Sequence, residues 1–186
     1  MSTINIYIIH RYTANSTANW FPDLKENLES ENLKVHIFDM PNSQAPIFEE
    51  WIEFLKKKID TIHSNSIFIG HSLGCVTLLN FLEEKNYKNV NSLFLISGFV
   101  EKTPIQKLSG FMEKTIDYSK VINNVKNRFV ISAFDDDIIP YSYSEYLAEK
   151  IDAKFILLKE GKHFIDRDGF YKFPLLIDLI NETIEK

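Results

Sequence analysis

The chain has 186 residues, 45% of them hydrophobic and 15 of them Phe, which is enough to bury a substantial core, and 1–186 reads as a single domain. Its net charge of −5, with basic residues scattered rather than gathered into a stripe, argues against a nucleic-acid partner. A single cysteine, Cys75, excludes an internal disulfide, and no apolar run approaches the roughly 18–20 residues that span a bilayer. The opening Met1-Ser2-Thr3-Ile4-Asn5-Ile6 has no basic segment followed by a long apolar one, so a cytoplasmic, membrane-free protein is expected.

Short apolar or β-branched runs alternate with amphipathic segments from end to end. The strand candidates are Ile4–Ile9, Lys34–Phe38, Ser66–Ile69, Ser92–Ile96, Phe129–Ser132 and Phe155–Leu158. Between and after them, helices are expected at Trp20–Glu31, Ile47–Ile62, Gly74–Glu84, Tyr118–Val125, Ser142–Lys150 and Pro174–Glu185. Pro46 and Pro174 stand at helix starts, where a missing N–H costs nothing. In the second helix Trp51, Phe54, Leu55, Ile59 and Ile62 form one stripe, opposite Lys56-Lys57-Lys58, which reads as a solvated face. Such alternation predicts right-handed βαβ units: a mostly parallel sheet of about six strands with helices on both faces. Ligands then bind at the carboxyl ends of the strands, so functional residues are sought just after them.

The third strand runs directly into Gly70-His71-Ser72-Leu73-Gly74, and Val76, Leu78, Leu79, Phe81 and Leu82 follow at helical spacing. A serine between strand and helix occupies a sharp turn, and glycines two residues to either side avoid collision with neighbouring backbone. The hydroxyl is thereby presented above the sheet at a helix N-terminus, so Ser72 is the candidate nucleophile.

A serine needs a base, usually histidine, held by a carboxylate. Of the five histidines, His36 lies inside a strand, His63 leads into one, and His71 should point away from Ser72. His10 ends the first strand and belongs with the loop that shapes the oxyanion site. His163, in the loop after the last strand, is the candidate base. The acid is sought after the fifth strand, in Asp135-Asp136-Asp137, because this fold uses the order Ser, Asp, His. Three adjacent carboxylates point in different directions, so one faces the imidazole. Convergence of all three on a metal ion is the weaker reading, and no metal or cofactor is expected. Spacing alone does not choose among the three.

Oxyanion donors are expected from the backbone N–H of Leu73 and from the loop after the first strand, near Tyr12. Arg11 stands where His-Gly is common, so it would be strained if that position needed φ > 0; it is also a candidate to bind an acidic substrate group. Trp20, Phe99 and Phe164, with Tyr12, are aromatic candidates for the substrate pocket, and Cys75 reads as a packed, inert thiol.

Gly70-His71-Ser72-Leu73-Gly74-Cys75, Ser97-Gly98-Phe99, Asp135-Asp136-x-Ile138-x-Pro140 and Gly161-x-His163-Phe164, in that order, resemble the small YdeN-like serine hydrolases, relatives of the retinoblastoma-binding serine hydrolase. Ile8-Ile9-His10-Arg11-Tyr12 and Asn19-Trp20-Phe21-Pro22 extend the similarity over nearly the whole chain. The resemblance implies a compact α/β-hydrolase core without a large lid. It also implies that the catalytic aspartate stands four residues before Pro140, which is Asp136, with Asp135 the fallback. A peptide partner of Leu-x-Cys-x-Glu type does not carry over, because Leu73-Gly74-Cys75-Val76-Thr77 lacks the acidic residue. The expected activity is hydrolysis of small carboxylic esters by Ser72, His163 and Asp136 through an acyl-enzyme. The alternatives are a binding or signalling module with minor activity, or a thioesterase, amidase or aminopeptidase. Oligomeric state is not legible.

Overall fold

The computed structural model describes residues 3–103 and 105–184. Six strands, β1 (Ile4–Ile9), β2 (Leu33–Ile37), β3 (Ser66–His71), β4 (Val90–Ile96), β5 (Val125–Ala133) and β6 (Lys154–Leu158), form one sheet in the order β2-β1-β3-β4-β5-β6. Every pairing is parallel. The central strands are near-continuous Ile, Leu and Phe because both faces are covered; all six residues of β3 are buried.

The helices are α1 (Phe21–Leu28), α2 (Phe48–Lys58), α3 (Leu73–Glu84), α4 (Tyr118–Asn124), α5 (Tyr141–Lys150) and α6 (Pro174–Ile184). Residues of α2 through α5 share one core with one face of the sheet, built around Trp51, Leu78, Phe81 and Leu147. Residues of α1 and α6 close the other, around Phe21, Leu24, Leu176 and Ile180. The apolar content of α3 explains its central place: Leu73 through Leu82 are all buried. Thr77 and Asn80, polar within that run, donate their side-chain hydrogens to the carbonyls of Leu73 and Val76 one turn back.

Each expected strand and helix forms, with ends displaced by a few residues. The second helix stops at Lys58 rather than Ile62 and the first at Leu28 rather than Glu31. Glu185, expected at the end of the last helix, lies outside the described residues, as do Met1 and Ser2. On α2, Lys57 and Lys58 are exposed, and Lys56 is ion-paired with Glu53 at 2.9 Å and Glu84 at 2.7 Å. Two short 3-10 helices, Gln106–Met112 and Asp166–Asp168, have no counterpart in the sequence reading. The first belongs to the segment between β4 and α4, and no large lid covers the strand ends among the described residues. No helix among them is long and apolar enough to cross a membrane.

Candidate active site

Ser72 sits between β3 and α3 with φ 53° and ψ −114°, a conformation L-residues rarely adopt. Its N–H donates to Ile96 O at 2.8 Å, and its carbonyl accepts from Cys75 N at 2.9 Å, so both sides of the turn are tied down. The flanking glycines answer to close backbone approach. A Cβ on Gly70 would stand 2.8 Å from Cys75 Cα, and one on Gly74 would stand 2.1 Å from Ile9 O. The elbow is therefore pressed against the end of β1, which brings the loop after β1 alongside Ser72.

His163 follows β6, and its Nδ1–H donates to Asp136 at 2.9 Å (Oδ2) and 3.1 Å (Oδ1). The Asp136 carboxylate is fully enclosed, and its remaining lone pairs are occupied. Oδ1 accepts from Ile138 N and Ile139 N, each at 2.9 Å, and Oδ2 accepts from Ser97 Oγ at 2.8 Å. A buried charge tolerates enclosure only when hydrogen-bonded in this way. The neighbouring carboxylates do other work. Asp135 Oδ1 accepts from Gly161 N and Lys162 N, fixing the loop that carries His163. Asp137 pairs with Arg167 at 3.0 Å on the surface. Among the described residues no group of three His, Cys, Asp or Glu side chains is arranged to hold a metal ion.

Two other histidines support the site from below. His71, fully buried, donates its Nε2–H to the carbonyl of His163 at 2.9 Å, and the two rings lie 5.4 Å apart. Burial, reinforced by neighbouring His163, pushes its pKa well below the ordinary histidine value. It is therefore the neutral Nε2–H tautomer. His10, also buried, donates Nδ1–H to Arg11 O at 2.7 Å and accepts from Met40 N at Nε2, 3.0 Å away. That pairing shapes the loop after β1.

Ser72 and His163 line one cleft of about 170 Å³ together with Arg11, Tyr12, Thr13 and Phe99, and with Ile105, Leu108, Ile138 and Ile139. Thr13, not Arg11, takes the left-handed conformation in this loop, at φ 62°, so the arginine carries no backbone strain. The N–H groups of Tyr12 and Leu73 have no hydrogen-bond partner among the described residues. Two of the aromatic candidates are corrected. Trp20 and Phe164 are fully buried and do not line the cleft. Trp20 packs edge-on to Phe21 and Phe173 in the core beneath α1 and α6, and Phe164 stacks on Phe173 there. The left-handed turn at Phe164, φ 54°, is where that ring enters the core, under Gly161. Cys75 is buried, with Sγ 3.5 Å from Ile96 O, and burial pushes its thiol pKa upward. Ser97, just after β4, meets the strand-end rule but carries no signal of its own in the sequence that marks it as a partner of Asp136. Ile105 and Leu108, equally unmarked, reach the cleft from the aperiodic segment between β4 and α4. A roomier hollow of about 450 Å³ on α2, lined by Glu49, Glu50, Phe54 and Lys57, lacks a nucleophile–base pair.

A parallel sheet with a strained serine at its central strand–helix elbow defines an α/β-hydrolase. Residues 6–182 match the family model described as Serine hydrolase, and the chain belongs to that family. It is 38% identical over 186 residues to the Bacillus subtilis (strain 168) protein YdeN, covering 99% of this chain and 98% of that one. The crystal structure of the B. subtilis ydeN gene product superposes with a TM-score of 0.94, at 37% identity, covering 99% of this chain and 100% of the other. Serine hydrolase RBBP9 of Rattus norvegicus is 21% identical over 152 residues, 80% of each chain. Est1E from Butyrivibrio proteoclasticus shares the fold, with a TM-score of 0.71 at 15% identity, covering 100% of this chain and 90% of that one.

Proposed function

We propose that this protein hydrolyses small carboxylic esters with Ser72 as nucleophile, His163 as base and Asp136 as the group that orients the base. One observation carries the reading: the imidazole of His163 is anchored through Nδ1 to a fully enclosed carboxylate, and it lines the same cleft as a serine in a strained elbow. With Nδ1 protonated and tied to Asp136, Nε2 is the nitrogen with a free lone pair.

Ser72 Oγ attacks the ester carbonyl carbon while Nε2 takes its proton. The carbonyl electron pair moves to oxygen, and the N–H groups of Leu73 and Tyr12 hold the resulting oxyanion. The tetrahedral intermediate collapses, the C–O bond to the alcohol breaks, and the alkoxide leaves with the proton from His163. A water then repeats the sequence on the acyl-serine: it gives a proton to Nε2, attacks the carbonyl, and releases the acid as Ser72 recovers its proton. The Asp136 carboxylate steadies the imidazolium at each stage. The cleft is smaller than the several hundred Å³ of typical ligand pockets, which favours small substrates. A cytoplasmic setting is in keeping with a lone, buried thiol.

A fluorophosphonate probe is expected to label the wild type and not Ser72→Ala; equal labelling of that variant would mean that another serine reacts. His163→Ala should lower kcat on 4-nitrophenyl acetate by about 10³ or more with an unchanged circular dichroism spectrum. Rates on a matched ester, thioester and amide then separate esterase from the related acyl-transfer activities.

A further inference from the structure

The cleft holds one cation and, among the described residues, no acid in its lining, although the whole chain carries a net charge of −5. That cation is Arg11. Its Nη1 donates to Tyr12 O and Thr13 Oγ1, both at 2.8 Å, and these two bonds fix the guanidinium plane beside the loop after β1. Nε is enclosed and has no partner. Nη2 has none among the described residues, and no carboxylate there comes within ion-pair distance of Arg11. Asp166 is near enough to act on its field, but that carboxylate accepts from Arg167 N.

The other two arginines show what satisfaction looks like in this protein. Arg128 donates to the carbonyls of Ile122, Val125, Ile151 and Asp152 and pairs with the Asp152 carboxylate. Arg167 pairs with Asp137 and Asp168. Only Arg11 is left partly buried with donors unspent, an arrangement that costs desolvation without return in the free protein. With Nε enclosed and Nη1 held by Tyr12 O and Thr13 Oγ1, Nη2 is the guanidinium nitrogen left to donate to an incoming carboxylate. Much of the remaining lining is apolar: Phe99, Leu108, Ile138 and Ile139.

We propose that Arg11 is a specificity-determining residue that selects esters bearing a carboxylate a few bonds from the scissile carbonyl, such as half-esters of short dicarboxylic acids. The claim rests on the ester-hydrolase reading and narrows it to an acidic substrate class. The apolar lining takes the hydrocarbon part, while Nη2 of Arg11 takes the charge. Lysine has no planar guanidinium for Tyr12 O and Thr13 Oγ1 to hold in place, so Arg11→Lys keeps the attraction but loses the fixed direction of the donor.

The test compares kcat/KM for monomethyl succinate with that for methyl 4-methylpentanoate, which has the same shape with an isopropyl group in place of the carboxylate. Wild type should favour the succinate ester. In Arg11→Met the ratio of the two should fall by about 10- to 100-fold, the usual worth of hydrogen bonds to a charged group, with Arg11→Lys in between. Taking the ratio cancels any general damage to the loop. A wild-type ratio at or below one, or an equal loss on both esters in Arg11→Met, overturns the proposal. A second readout does not need turnover: at constant ionic strength, succinate should raise the Tm of Ser72→Ala and not that of Ser72→Ala with Arg11→Met. If no ester is cleaved and Ser72 takes no probe, the hydrolase reading fails. The Tm shift still decides the anion site, and its absence in Ser72→Ala sinks it.

Discussion

Ser97 contributes one hydroxyl to the site, but it reaches the carboxylate that holds the imidazole. Its Oγ donates to Asp136 Oδ2 at 2.8 Å from a left-handed backbone position, φ 46°, at the end of β4. Without that donor, Oδ2 keeps only the His163 contact inside an enclosed space. Hydrogen bonds to charged groups contribute about 1.5–3 kcal/mol, and part of the loss falls on the charged state of His163 during reaction. Ser97→Ala is therefore expected to lower kcat on a simple ester by about 10-fold while leaving KM unchanged, far short of the loss in His163→Ala. A fall in KM-dependent binding with kcat intact would mean that Ser97 acts on the pocket instead. At this scale the sequence was only partly legible. Three consecutive aspartates read alike, spacing leaves all three open, and only the family resemblance points to Asp136. They diverge because successive residues of a turn face different ways: Asp135 to the Gly161 and Lys162 amides, Asp136 to His163, Asp137 to Arg167. Trp20 and Phe164 read as pocket aromatics from their places near strand ends, but such a place does not tell which face of the sheet a ring enters, and both enter the core.

The contact among β1, β3 and α3 sets the geometry of the elbow, and Gly74 is its tightest point. A methyl group there would lie 2.1 Å from Ile9 O and 2.8 Å from Ile9 C, atoms of a central strand that has no freedom to retreat. Gly74→Ala must lift the start of α3 away from β1 and carry Ser72 and the Leu73 amide with it. The expected cost is about 3 kcal/mol or more in urea denaturation, at the upper end for overpacking, with the proposed ester hydrolysis lost even in the folded fraction. Gly110, in the 3-10 helix Gln106–Met112, is the control: a Cβ there meets nothing within 4 Å, so Gly110→Ala should shift stability by no more than about 0.5 kcal/mol. Comparable losses in the two variants would refute the close-approach account. Elements were the most legible level of the sequence. Runs of β-branched and apolar residues located all six strands, and the stripe on α2 located its buried face. The stretch between β4 and α4 escaped because a 3-10 turn has no amphipathic period to read, and Ile105 and Leu108 escaped with it.

Across the whole molecule, buried neutral histidines couple stability to pH. His10 and His71 both have pKa values lowered, in each case chiefly by burial, and both use their single N–H on a backbone carbonyl. His71 Nδ1 has no partner, so a second proton would find no acceptor; at His10, protonating Nε2 would break the bond from Met40 N. The unfolded chain takes up protons near the ordinary value of 6.5, while the folded protein refuses them until a lower pH. The unfolded state then binds more protons, so the free energy of unfolding falls as pH drops below 6.5, and it levels off only beneath the folded values. His36, half-buried on β2, is lowered in the same sense, chiefly by burial, so with three such groups the slope reaches at most about 4.1 kcal/mol per pH unit. Carboxylates act in the same direction but lower down. Glu84, hydrogen-bonded to Lys114 and Lys56, is held below its ordinary 4.5, so its contribution is lost only as pH falls beneath that value. Urea midpoints between pH 7.5 and 5.0 therefore isolate the histidines. His71→Gln should flatten the profile by about a third or more, because an amide retains a donor for the carbonyl of His163 but binds no proton, while His10 and His36 still titrate. An unchanged slope in that variant would assign the acid sensitivity to other groups and would remove His71 from the account of how the base is held.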